Sequence, residues 1–116
     1  MKTGVLTKAG RTLIGEVLMA DRFWTRAVGL LGRDSLGTDR ALFLAPCASI
    51  HTFFMRFPLD LVFLGPAMRV VKVVRDVRPF RIVSGGFGAL GVLELQAGWL
   101  SAEAVQPGDE LSLVVS

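Results

Sequence analysis

The chain has 116 residues, 52% hydrophobic and 20% charged, which is the length of one domain and too apolar for a disordered segment. Thirteen Lys and Arg against ten Asp and Glu leave a net charge of +3, a mild and dispersed basicity that argues against a dedicated nucleic-acid binder. One cysteine, Cys47, excludes an intramolecular disulfide and any multi-cysteine zinc site within one chain, and it favours a reducing compartment.

The opening residues carry Gly10, Arg11 and Glu16 where a secretory signal needs an uninterrupted apolar core, so a cytoplasmic location is expected. Thr12 to Met19 mixes β-branched and aliphatic residues and reads as a strand. From Asp21, a natural N-cap, the period changes. Phe23, Ala27 and Leu30 share one helical stripe, Trp24, Val28 and Leu31 share the next, and Gly32 can end the helix. Arg22, Arg26 and Arg33 then lie off that stripe, on a solvated face.

Downstream, Ala41 to Leu44, Ile50 to Phe57, Leu59 to Leu64, Arg69 to Val77 and Val92 to Leu95 are short apolar or alternating runs between Pro, Gly and Ser signals, and they read as strands. In the Arg69 to Val77 run, strict alternation puts Val71, Val73 and Val77 on one side. The apolar stretch from Ala41 to Leu64 is long enough for a membrane span. Pro46, His51, Arg56, Pro58 and Asp60 interrupt it, so core strands are expected instead. Ser84 to Gly88 reads as a flexible loop without the GxGxxG spacing of a dinucleotide site. Ser101 can cap a short helix through Val105, Pro107-Gly108-Asp109 turns the chain, and Glu110 to Val115 closes as a final strand. The expectation is a single α+β domain over residues 1–116, mainly β: a small curled sheet or barrel-like domain with one main helix and a short C-terminal helix.

Chemistry concentrates in Ser49 to Leu64, where the only histidine, His51, with Arg56 and Asp60, enters an otherwise apolar run. Charged groups in an apolar setting must be paired or hydrogen-bonded, so these residues mark either a structural polar knot or a site. The structural reading is a buried Arg56–Asp60 pair that fixes strand register. The catalytic reading makes His51 a proton-transfer group oriented by Asp60, with Arg56 holding an anion. Glu94, a lone acid in an apolar strand, faces solvent, pairs with an arginine such as Arg33 or Arg56, or adds a carboxylate at the rim of the same pocket. Cys47 beside Pro46 reads as a small buried hydrophobe. One His with scattered Asp60, Glu94 and Cys47 shows no metal-ligand spacing, and no cofactor is expected.

The ordered motifs GLLGR at Gly29 to Arg33, ALFLAPCASIHTFFMRFPLDLVFL at Ala41 to Leu64, VVKVVRDVRPFR at Val70 to Arg81, VLELQAG at Val92 to Gly98 and PGDEL at Pro107 to Leu111 together resemble the uncharacterised DUF192 family. The resemblance runs from about Thr12 to Leu113, with SIHTFFMRFPLD as its specific part. It implies a compact, largely β single domain of bacteria and archaea and carries over no activity, substrate or cofactor. Similar sequences often place an acidic residue in the turn after Leu64, where this chain has Gly65-Pro66-Ala67. The leading expectation is a binding or interaction module that holds a small anionic ligand or a peptide near His51, Arg56, Asp60, Glu94 and Arg33. A small hydrolase or isomerase using His51 and Asp60 is the competing reading, and self-association into a homo-oligomer is a third.

Overall fold

Nine strands form where the chain alternates or runs apolar between breakers, in a computed structural model that describes residues 2–20, 36–52 and 55–116. They are β1 (Lys2–Lys8), β2 (Arg11–Ala20), β3 (Arg40–Leu44), β4 (Ser49–His51), β5 (Leu59–Leu64), β6 (Val70–Val77), β7 (Ile82–Ser84), β8 (Gly91–Gln96) and β9 (Ser112–Val115). Seven form one sheet in the order β6-β5-β8-β3-β2-β1-β9, and β4 pairs with β7 in a separate ribbon. The pairing is antiparallel except between β2 and β3.

Directly paired residues share a face, so the register divides the core in two. Leu42, Leu44, Leu59, Leu61, Phe63 and Val92 lie on one face, and Ile50 and Val83 of the β4–β7 ribbon pack over them. Ala41, Val62, Leu64, Leu93 and Leu95 lie on the opposite face. There they meet Leu6, Ile14 and Val17, with Val105 and Leu111 from the segment before β9. β5 is buried along its whole length and β8 through Leu95 because both faces are covered, which is why their sequences, Asp60 and Glu94 apart, run apolar without alternation. Each Leu or Phe buried this way contributes about 1.5–3 kcal/mol.

Two register shifts in the β5–β6 pair change the expected sidedness of β6. Val71, Val74 and Val77 join the ribbon-side core, and Val70 and Val73 join the opposite one, so Val73 does not share a side with Val71 and Val77. Each bulge adds a residue and inverts the parity that an ideal strand keeps. The supposed flexible glycine loop also has a packed position. A Cβ at Gly85 would collide with the Phe63 ring and stand 2.7 Å from the Ala89 Cβ, so close backbone approach demands glycine there.

The α+β expectation gives way to an all-β architecture. Among the described residues the only helical element is the 3₁₀ turn Pro66–Met68. The short helix expected from Ser101 to Val105 is a chain of turns, closed by Ala104 N–H donating to Ser101 O at 3.1 Å. Five residues are too few to offset helix nucleation, and Val105, only 2% exposed, is drawn into the core. The barrel-like expectation also fails, because the sheet is open, with β6 and β9 at its ends. Those ends are linked by one isolated bridge, Arg69 to Glu110, with flanking backbone bonds from Val70 N to Asp109 O, Gly108 N to Val70 O and Leu111 N to Met68 O. The pairing stops there because the chain before Met68 turns away through Gly65 and Pro66. The helix expected from Asp21 to Gly32 lies outside the described residues. Strands β1 and β7 add to the expected set, and in place of the strand expected over Ile50 to Phe57 the described residues hold the shorter β4.

Candidate functional site

Asp60 is 4% exposed on β5 and faces away from the ribbon, on the side of its register partner Leu95. Its carboxylate accepts three hydrogen bonds: Oδ1 from Asp76 N–H at 2.8 Å, and Oδ2 from Gly98 N–H at 3.0 Å and Arg75 Nη1 at 3.2 Å. Asp76 sits in the bulge of β6 with φ 54°, and Gly98 turns the chain after β8 with φ 83°. The buried charge thus fixes two left-handed backbone positions and one cation at once. Arg75 extends the knot, donating also to Leu100 O at 2.7 Å and Ser101 O at 3.0 Å. The partner that holds Asp60 is Arg75.

His51 ends β4 directly opposite Ile82 of β7. Since Ile50 and Val83 face the core, His51, Ile82, Ser49 and Ser84 form the outer face of the ribbon, and all four are exposed. His51 and Asp60 therefore stand on opposite sides of the main sheet, and the structure does not bring them together as an acid/base pair. Arg56 is exposed in the loop between Thr52 and β5.

The residue that shapes this region is Thr52, wholly buried. Its Oγ1 donates to Arg78 O at 2.7 Å and accepts from Arg81 N–H at 2.9 Å, while its backbone N–H donates to Arg81 O at 2.8 Å and its carbonyl accepts from Phe80 N–H at 3.1 Å. This cluster holds the Arg78-Pro79-Phe80-Arg81 turn against the ribbon, with Phe80 at φ 65°. Phe80 is left 64% exposed and Ile82 73% exposed. Arg78 and Arg81 are exposed beside them, Arg78 with an ion pair to Asp76 at 3.2 Å. The aliphatic and aromatic members of this patch were missed in the sequence. The available signal was the alternation of Arg with Phe and Ile just after Pro79, which a three-residue strand cannot bury completely.

Glu94 is 5% exposed on β8, between Leu42 of β3 and Leu61 of β5, and so lies on the ribbon side of the sheet. Asp60 and Glu94 are thus on opposite faces and do not line one pocket. Arg33 lies outside the described residues, as do Phe53 and Phe54. Cys47 packs at the edge of the ribbon-side core with its Sγ 3.1 Å from Ser49 O. Arg69 pairs with Glu110 at 2.6 Å and Lys72 Nζ donates to Ser84 O at 2.8 Å, so these charges tie surface segments together. Among the described residues no group of three His, Cys, Asp or Glu is placed to hold a metal, and no helix is long and apolar enough to cross a membrane.

The sequence and the fold both have counterparts among known proteins. The chain is 32% identical over 107 residues to a UPF0127 protein of Thermococcus sibiricus, covering 88% of this chain and 68% of that one. It is 33% identical over 102 residues to a UPF0127 protein of Pyrococcus horikoshii, covering 84% and 86% of the two chains. These relatives are archaeal. Two solved structures share the fold. A protein of unknown function from Novosphingobium aromaticivorans has a TM-score of 0.78 at 22% identity over 95% of this chain and 83% of that one. A putative transcription regulator from Sinorhizobium meliloti has a TM-score of 0.80 at 24% identity over 97% and 92%. The profile of DUF192, described as an uncharacterized ACR, matches residues 4–113, and with this coverage the chain belongs to the DUF192 family.

Proposed function

We propose that this protein is a non-catalytic, cytoplasmic binding module that takes an extended acidic peptide on the outer face of the β4–β7 ribbon. The observation that carries the reading is the exposed pair Phe80 and Ile82, with His51 directly across from Ile82 and Arg78 and Arg81 on the same segment. Apolar anchors bordered by cations suit a ligand that alternates apolar and acidic residues, and the buried Thr52 cluster presets the turn that displays them. A preset turn lowers the ordering cost of binding. The separation of His51 from Asp60 supports binding over acid/base chemistry, because a proton-transfer pair requires hydrogen-bond reach.

The test is an amide-shift titration of the ¹⁵N-labelled protein with a synthetic peptide of alternating Leu and Glu, and with its Leu/Lys counterpart. The Leu/Glu peptide is expected to shift His51, Phe80, Arg81 and Ile82 amides at sub-millimolar concentration, and Arg81→Glu is expected to weaken it about tenfold or more. Equal response to the two peptides, or none at all, rejects the proposal.

A further inference from the structure

The two ends of the main sheet are finished in different ways. β6 carries Lys72, Arg75 and Asp76 along its length, is broken by a bulge at Asp76, and is bonded near its start by Gly108 and Asp109. Charges, bulges and covering segments are the devices that stop an edge from recruiting another strand. β9, Ser-Leu-Val-Val, has no charge, no proline and no bulge in its pairing with β1. Among the described residues no strand pairs with its outer edge.

The direction of its backbone groups follows from the bonds at either end. Ser116 N–H donates to Thr3 O of β1 at 2.9 Å, and Leu111 N–H donates the other way, to Met68 O at 3.1 Å. Alternation then turns the N–H and C=O of Val114 toward β1 and those of Leu113 and Val115 outward. Val114, between the two outward-facing residues, is 59% exposed, and Val115 is 51% exposed.

We propose that β9 is the pairing strand of a symmetric dimer, in which a second copy of this chain adds its own β9 antiparallel to the free edge and continues the sheet. The two-fold axis passes between the Val114 side chains. Leu113 of each copy then exchanges both backbone bonds with Val115 of the other, and Val114 meets its own copy as a close, non-hydrogen-bonded pair. A second copy brings an equally uncharged strand, so the axis pairs two exposed valines and sets no like charges opposite each other.

Sedimentation of the intact chain from about 10 μM to about 1 mM tests this. The expected result is a mass rising from 12.5 kDa toward about twice that value. Val114→Lys places like charges across the axis and is expected to remain monomeric over the same range with an unchanged melting midpoint. Amide exchange supplies a readout that needs no variant: Leu113 and Val115 gain protection as concentration rises, and Val114, already bonded to β1, does not. A monomer at the highest concentration, a dimer that Val114→Lys leaves intact, or exchange at Leu113 and Val115 independent of concentration overturns the proposal.

Discussion

Arg75 Nη1 stands 3.2 Å from Asp60 Oδ2, joining β6 to β5 where the ladder between them is interrupted by a bulge. The side chain of Asp60 is 6% exposed and that of Arg75 33% exposed, so the anion is desolvated far more than its partner. The carboxylate is tolerated in the interior because two backbone amides share its charge with the guanidinium.

Replacing this carboxylate therefore strands more than one partner. Asp60→Ala leaves the Asp76 and Gly98 amides without their acceptor and Arg75 without its counter-ion, at an expected cost of about 3–5 kcal/mol. Asp60→Asn keeps the shape and one acceptor oxygen, and about 1–3 kcal/mol is expected. Urea denaturation of the two variants orders these losses. An Asp60→Ala midpoint equal to that of the wild type would show that the knot does not support the fold.

Thr52→Val removes the hydroxyl while keeping the β-branched shape, so the effect reports hydrogen bonding and not volume. Losing the bonds to Arg78 O and from Arg81 N–H in a fully buried position is expected to cost about 1–3 kcal/mol. Amide exchange at Arg81 should accelerate, and Thr52→Ser should restore much of its protection. Unchanged Arg81 exchange in Thr52→Val would mean that the turn is held by the backbone bonds alone.

The runs Leu59 to Leu64 and Val92 to Leu95, apolar but for Asp60 and Glu94, are legible as strands because a segment buried on both faces needs no alternation. That Asp60 must be paired was also legible, from the cost of burying a charge. Its partner was not. Arg56, four residues away, was the nearest cation in sequence, whereas Arg75 arrives by antiparallel pairing and a bulge, neither of which leaves a local signal.

The polar residues of Ser49 to Leu64 looked like one constellation because they are adjacent in sequence. The chain instead leaves its strand at Thr52, which puts His51 on the ribbon and Asp60 beneath the main sheet. Thr52 carries no local signal of its role, since threonine is ordinary in strands and its bonds run to residues 26 and 29 positions away. β7 was hidden for a related reason: three residues after a proline turn carry too little pattern to register.

The pH response follows from a second ion pair. Lys8 Nζ lies 2.7 Å from Asp109 Oδ2, and the same oxygen accepts from Gln106 N–H at 2.9 Å. The Lys8 hydrogen bond, then the Gln106 amide, hold the Asp109 carboxyl below its ordinary value of 3.8. Lys8 also donates to Ala104 O at 3.1 Å, so the pair ties β1 to the segment that carries Val105 and Leu111 into the core. A carboxyl whose folded pKa is depressed stabilises the native state above its unfolded pKa of about 3.9, and that contribution is lost as pH falls through the folded value. Asp109→Asn should therefore melt below the wild type at neutral pH, with the gap closing as pH drops from about 5 to about 2. Added salt should narrow the neutral-pH gap, because the pair is partly exposed and screened. Melting midpoints of both proteins across that range decide the matter: a gap that persists unchanged at the acid end would assign the effect to the Gln106 bond and the turn, and not to the charge on Asp109.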